Sequence, residues 1–219
     1  MAARAAGRSP SEITLVAVTK GHSLETVRRA LDCGLDHIGE NYLQEALPKL
    51  AALAHRSDVT WHFIGRLQAN KTRAVAEHFA WVHSIDRVKI AERLSAQRPL
   101  HAPALNVCLE VSLESEGSKS GIHAVDLPHI AQAVAALPRI HLRGLMCIPP
   151  PLTDPRTQLE RFTRMNSLLA GLRAAGNALD CLSMGMSDDF ELAIAAGATH
   201  VRIGTALFGP RASAAQATP

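Results

Sequence analysis

The residue with the clearest chemical potential is Lys20, which follows an apolar, β-branched run at 16–18. Burial beside apolar residues disfavours the charged ammonium, and the neutral amine is the form that attacks aldehydes to give imines. A solvated lysine at a strand end is the more ordinary interpretation of Lys20 alone, since lysine is seldom fully buried. The choice between the two depends on what surrounds Lys20 in space.

Two glycine- and hydroxyl-containing segments near the C-terminus are candidates for a phosphate site. They read SMGMS at 183–187 and RIGT at 202–205, and a predicted strand runs into each of them. Glycine lets the backbone approach an anion, and backbone N–H groups at a helix start donate to it. The hydroxyls of Ser187 and Thr205 add two donors. The same residues also form ordinary turns and caps, so both interpretations stay open at this point.

Three other polar positions are considered as candidates for a functional site. Asn41 either donates to a ligand or caps the following helix, and the residues alone favour the cap. His62 is expected to be a core histidine with hydrogen-bond partners rather than a catalytic one. The segment 114–121 contains Lys119, a second candidate amine, and is expected to form a mobile loop over the site. It lacks the GxxxxGK[ST] pattern of a nucleotide-binding loop, and no HExxH or CxxC metal spacing occurs.

These residues need a scaffold that brings both ends of the chain together. Short β-branched runs alternate with amphipathic runs, which predicts a parallel sheet covered by helices. Eight such units in 219 residues predict an α/β fold, a closed (β/α)8 TIM barrel with its site at the C-terminal strand ends. The predicted strands are 13–18, 37–39, 61–64, 81–84, 104–111, 142–148, 181–184 and 200–203, and the predicted helices are 24–32, 43–53, 69–77, 87–96, 125–137, 155–175 and 188–196.

Helix ends and chain ends carry further local signals. A single domain over 1–219 is expected, with residues 1–12 and 211–219 frayed. Three residues are predicted N-caps and three glycines are predicted left-handed C-caps. These are Ser23, Asp86 and Asp154, and Gly34, Gly176 and Gly197.

Composition excludes several classes of protein. Aromatic residues are only 4% against 47% hydrophobic residues, so the core must be aliphatic. The net charge of +3 is scattered, which argues against nucleic-acid binding. The N-terminus shows no secretory signal, and no apolar stretch approaches a membrane span, so we expect a cytoplasmic protein. The outer helices show no long apolar seam, so a monomer is expected. The four widely spaced cysteines are expected to be buried free thiols.

The chain resembles the pyridoxal phosphate (PLP) homeostasis proteins, single-domain relatives of the alanine racemase N-terminal barrel. Eight segments carry the resemblance in order along nearly the whole chain. They are AVTK at 17–20, IGENYLQE at 38–45, WHFIGRLQANK at 61–71, VHSIDR at 82–87, SKSG at 118–121, LRGLMCIP at 142–149, SMGMSDDFELAI at 183–194 and VRIGTALFG at 201–209. The sequence departs from the family at Gly21-His22-Ser23, where a second lysine and a proline are usual, at Ser112, where asparagine is usual, and in its short N-terminal segment.

The resemblance implies a role for each candidate residue. It implies that Lys20 holds PLP as a Schiff base, that Asn41 lies beside the cofactor ring, and that Arg202 lies near the pyridine nitrogen. A cation there keeps that nitrogen unprotonated and weakens the electron sink needed for carbanion chemistry. The resemblance also implies that the phosphate is held by Met186, Ser187, Gly204 and Thr205.

The function implied is intracellular PLP homeostasis: holding the cofactor, buffering it and passing it to apo-enzymes, without substrate turnover. The alternative is an amino-acid racemase or another fold-type III PLP enzyme. A two-base racemase needs an acid/base group opposite the lysine, and we do not assign that role to Tyr42, the sole tyrosine. A third possibility is a barrel that binds another phosphorylated metabolite, with Lys20 as a counter-ion.

Overall fold

The structure is a computed structural model that describes residues 1–113, 121–150 and 154–210. Eight strands close a barrel in sequence order, every neighbouring pair is parallel, and the last strand pairs with the first. The predicted (β/α)8 barrel is confirmed. The strands are β1 (Thr14–Val18), β2 (His37–Glu40), β3 (Thr60–Phe63), β4 (Trp81–Ile85), β5 (Leu105–Glu110), β6 (Ile140–Met146), β7 (Cys181–Ser183) and β8 (His200–Ile203).

Helices cover the outside of the barrel, and all seven predicted helices are present within a few residues of their expected ends. Two short helices at the chain ends were not predicted. The described helices are α1 (Ala2–Ala5), α2 (Leu24–Asp32), α3 (Leu43–Ala52), α4 (Thr72–His78), α5 (Val88–Gln97), α6 (Leu127–Ala135), α7 (Pro155–Ala174), α8 (Phe190–Ala195) and α9 (Thr205–Phe208), with 3-10 turns at Pro10–Glu12 and Ala69–Lys71. None of them is both long and apolar enough to cross a membrane.

Most of the predicted caps are present. The Ser23 hydroxyl accepts the Thr26 N–H at 3.2 Å, and Asp154 accepts two N–H groups of the first turn of α7. The prediction for Asp86 is wrong, because α5 begins at Val88 and the Asp86 carboxylate instead accepts a bond from Arg87 Nη1 at 2.7 Å. The three C-cap glycines all have positive φ, as predicted: Gly34, Gly176 and Gly197.

The N-terminal segment, for which fraying is expected, contains the short helix α1 and the 3-10 turn at Pro10–Glu12. Arg8 Nη1 donates to the carbonyls of Ala198 at 2.6 Å and Ile194 at 3.2 Å. These bonds tie the segment to the C-terminal end of α8 and the loop after it. Residues 211–219 and the segment with Lys119 lie outside the described residues.

The interior of the barrel contains several buried polar side chains. His83 on β4 and Ser183 on β7 lie 2.8 Å apart, a contact between non-adjacent strands that must cross the barrel interior. His62 and Arg202 are also buried there. A small apolar cluster shares this space and is separate from the main core between sheet and helices: Trp81, Cys108, Met146 and Cys181.

The cysteines correct one expectation. Cys108, Cys147 and Cys181 are buried free thiols, whereas Cys33 at the end of α2 is exposed. Burial raises the pKa of the Cys147 thiol to about 12. Cys147 therefore packs as a small apolar group, whereas Cys181 Sγ lies within hydrogen-bond distance of His200 Nδ1 at 3.3 Å and of Cys108 Sγ at 3.5 Å.

Candidate cofactor site at the carboxyl end of the barrel

A cavity of about 230 Å³ opens at the C-terminal ends of the strands. All seven residues proposed from the sequence line it. The lining is completed by residues that sequence reasoning did not assign. The first set is Lys20, Asn41, Met186, Ser187, Arg202, Gly204 and Thr205, and the second is Val18, His22, Ile64, Ile148 and Asp188.

The backbone that carries Lys20 is held by a buried ion pair. Lys49 Nζ donates to Glu40 Oε1 at 2.7 Å and to the carbonyl of Thr19 at 2.9 Å. The Thr19 hydroxyl donates to the same Glu40 oxygen at 2.6 Å. On the other side of Lys20, the Gly21 N–H donates to Glu45 Oε2 at 2.8 Å. Sequence reasoning missed Lys49, because a lysine on a helix is usually solvated.

Asn41 lines the cavity and does not cap the following helix. The helix α3 has Tyr42 at its N-cap and no side-chain cap, so the cap interpretation of Asn41 is wrong. The Oδ1 atom of Asn41 is buried and accepts no hydrogen bond from any described residue. The next loop packs tightly on the Asn41 backbone, since a Cβ atom on Gly65 would lie 2.1 Å from the Asn41 carbonyl oxygen. Asn41 therefore presents an unused acceptor in a fixed position.

The two glycine-containing loops are joined across the cavity. The Ser187 hydroxyl accepts the Ala206 N–H at 3.1 Å, which links the loop after β7 to the first turn of α9. Gly185 has φ of +92°, and a Cβ atom there would lie 2.6 Å from Ala193 Cβ, so only glycine fits this turn. The Met186 N–H already donates to Asp189 Oδ1 at 2.6 Å, so Met186 contributes to the cavity wall by other atoms.

Arg202 places a fixed cation in the wall of the cavity. Its Nη1 atom donates to Ser183 Oγ at 2.7 Å and its Nη2 atom donates to the Cys147 carbonyl at 2.8 Å. Burial lowers the pKa of Arg202 from its usual value. A guanidinium remains charged in proteins and only donates hydrogen bonds. Arg202 thus brings a positive charge to the lining of the cavity.

Three further positions singled out in the sequence have a defined place in the structure. His62 lies below the cavity and not in its wall, and it contacts His37 and His83 at 2.8 and 2.9 Å, as expected for a core histidine with partners. His22 lines the cavity and packs against Phe208 with ring centroids 5.2 Å apart. Ser112 is not part of the wall. Within the described ranges, no group of three or more acidic, His or Cys side chains is arranged to hold a metal ion.

Comparison with known proteins identifies the family. The family model for the alanine racemase N-terminal domain matches residues 2–212. A pyridoxal phosphate homeostasis protein of Pseudomonas aeruginosa is 56% identical over 210 residues, covering 96% of this chain and 90% of that protein. The chain belongs to the pyridoxal phosphate homeostasis protein family. Another member, from Escherichia coli, is 50% identical over 212 residues, or 96% of this chain and 91% of that protein.

Solved structures place this homeostasis-family chain among barrels of the same shape. PipY of Synechococcus elongatus, solved with PLP bound, has a TM-score of 0.85 and 38% identity, covering 94% of this chain and 97% of that chain. An alanine racemase of Corynebacterium glutamicum has a TM-score of 0.70 at 20% identity, covering 97% of this chain and 59% of that chain. The racemase likeness concerns the fold alone.

Proposed function

We propose that this chain binds PLP at the C-terminal end of its barrel through a Schiff base with Lys20. Its role is cytoplasmic PLP homeostasis as a monomer, in which it holds and buffers the cofactor and supplies it to apo-enzymes without turning over a substrate. The observation that carries the proposal is that Lys20, a buried cation and two hydroxyl-bearing loops line one cavity. Relatives named for PLP homeostasis and the PLP-bound PipY structure support it.

The residues present fit the chemistry of PLP. Asn41 offers a buried acceptor without a partner among the described residues, suited to a ring hydroxyl. Ser187 and Thr205 offer hydroxyl donors to a phosphate, and Gly204 allows close approach of the backbone. The cofactor would supply an aldehyde for the Lys20 amine, which condenses to an imine with release of one water.

Arg202 suits holding more than turnover. Its side chain is only 4% exposed, and both of the contacts described above anchor it to the barrel. Because a guanidinium does not give up a proton at physiological pH, a ring nitrogen beside it is not protonated. The electron sink needed for carbanion chemistry is then weakened, which suits cofactor holding, although racemases also work with an arginine at this position.

A racemase is the less favoured alternative. The sole tyrosine, Tyr42, is 55% exposed. It lines a neighbouring cavity of about 460 Å³ and not the cavity that holds Lys20. It is therefore badly placed to exchange a proton opposite Lys20, as a two-base racemase requires.

The deciding experiment is the absorbance spectrum of the protein incubated with PLP, before and after borohydride, with mass mapping of the reduced peptide. We expect a visible band that bleaches on reduction and leaves a pyridoxyl mass on Lys20. The variant Lys20→Ala should lose the band and keep the fold. The matched control Lys89→Ala, exposed on α5, should keep it. A band that persists in Lys20→Ala would move the bond to another lysine, including Lys119.

The outcome also separates the remaining alternatives. A protein that stays colourless and unlabelled with PLP would be a barrel for another phosphorylated metabolite. Activation of an apo-form PLP enzyme by the loaded protein, with no conversion of L- to D-alanine, would support the homeostasis role. Racemisation that is lost in Lys20→Ala would make the protein an enzyme.

A further inference from the structure

A continuous chain of polar contacts crosses the barrel from the cavity to the opposite face. It starts at Arg202 in the cavity wall and passes to Ser183 Oγ at 2.7 Å and then to His83 Nδ1 at 2.8 Å. From His83 Nε2 it continues to His62 Nδ1 at 2.9 Å, and from His62 Nε2 to His37 Nδ1 at 2.8 Å. His37 is the first residue of β2, at the amino end of the barrel.

The chemistry of the donors gives this chain a direction. Arg202 can only donate, so it donates to Ser183. The Ser183 hydroxyl has one proton and is fully buried, and His83 Nδ1 is its only recorded acceptor among the described residues. A buried hydroxyl that fails to donate costs free energy, so its proton belongs on the bond to His83. His83 Nδ1 then accepts.

The direction propagates through the imidazoles. A neutral imidazole that accepts at Nδ1 carries its proton on Nε2. His83 Nε2–H therefore donates to His62 Nδ1, and His62 Nε2–H donates to His37 Nδ1. Burial lowers the pKa of both His62 and His83 well below 6.5, which agrees with neutral rings. Every nitrogen of these two rings is then used once.

We propose that Ser183, His83 and His62 are positioning residues that form a one-way hydrogen-bond relay to hold the Arg202 guanidinium against the cavity. The relay presents a serine lone pair to Arg202 and keeps every imidazole proton pointing away from the cavity. Arg202 is thereby the sole donor that the relay offers to a bound ring. The effect on cofactor binding rests on the proposed function, whereas the direction of the relay does not.

Nitrogen-15 NMR of the ligand-free protein tests the direction. Long-range couplings distinguish the two imidazole tautomers, and we expect Nε2–H for both His62 and His83. A Nδ1–H tautomer or a charged ring at either position near neutral pH would overturn the proposal. This measurement needs no PLP and no variant, so it is independent of whether the proposed function is right.

Variants test the positioning. Rotation of the Arg202 guanidinium, measured by NMR exchange of its Nη groups, should be slow in the ligand-free protein, faster in Ser183→Ala and slow again in Ser183→Thr, which keeps the hydroxyl. His83→Leu should behave like Ser183→Ala, whereas His83→Gln retains one acceptor and one donor and should restore the slow rotation. Equal rotation rates in all of them would overturn the positioning role.

Cofactor affinity gives the functional readout. Ser183→Ala should weaken PLP binding by tenfold or more and shift its visible band, as expected when a hydrogen bond to a charged group is lost at about 1.4 kcal/mol per factor of ten. Ser183→Thr should bind within about threefold of the native protein. If the native protein binds PLP and Ser183→Ala binds it equally well with the same spectrum, the relay has no role at the site. If the native protein binds no PLP, the proposed function fails and the NMR measurements alone judge the relay.

Discussion

Acid should destabilise this protein through two histidines that fold in the neutral state. His62 and His83 are both 0% exposed, and burial holds the pKa of each well below 6.5. An unfolded chain protonates histidine near pH 6.5, so below that pH the unfolded state binds more protons than the folded state. Stability is therefore lost as the pH falls. Between about pH 7.5 and 5.5 the loss is about 1.4 kcal/mol for each ring and about 3 kcal/mol for the pair.

The assay is urea unfolding followed by circular dichroism at the two pH values. Because other groups also titrate, the acid-dependent loss of stability in a variant is compared with the loss in the native protein. His83→Gln should reduce the acid-dependent loss by about 1.4 kcal/mol relative to the native protein. The control His101→Gln, at an exposed site, should leave the loss unchanged. The reasoning is refuted if His83→Gln loses as much stability as the native protein, or if an NMR titration shows His83 protonating near pH 6.5.

Three substitutions test other parts of the site. Ser187→Ala should weaken PLP binding by about 1–3 kcal/mol, because a donor to a charged group is lost, and titration with PLP should show no such change for exposed Ser167→Ala. Gly185→Ala should lower the free energy of unfolding by about 1–3 kcal/mol through backbone strain and overlap with a buried alanine; an unchanged urea midpoint would contradict this. Lys49→Met leaves Glu40 buried and unpaired and should cost about 3–5 kcal/mol, with part of the loss recovered by adding Glu40→Gln; no recovery would argue against the ion pair as the cause.

The fold was predictable because each strand and helix has its own local pattern. β-branched runs and capping residues such as Ser23 determine the conformation of only a few neighbouring residues, so they can be recognised from the sequence alone. Strand ends were less predictable: β6 was expected to continue through Ile148, yet it ends at Met146, and Ile148 turns out to line the cavity. The very short α9 has no periodic pattern to detect.

The candidate site was likewise predictable only in part. The family resemblance supplied the seven wall residues, and the structure brings them together in one cavity. The relay from Arg202 to His37 was not foreseen, because it depends on the register of strands that are distant in sequence. The ion pair of Lys49 and Glu40 was missed for a related reason, since only the packing of α3 on β2 shows that the lysine is buried.

Closure of the barrel determines at which stage of protein synthesis the cavity can form. Lys20 follows the first strand, whereas Arg202, Gly204 and Thr205 belong to the last strand and the turn after it, and the pairing of β1 with β8 brings them together. A chain emerging from the ribosome exposes its N-terminal lysine long before the residues that complete the cavity exist. The complete cavity therefore cannot form until β8 and the turn after it have been synthesised and β8 has paired with β1.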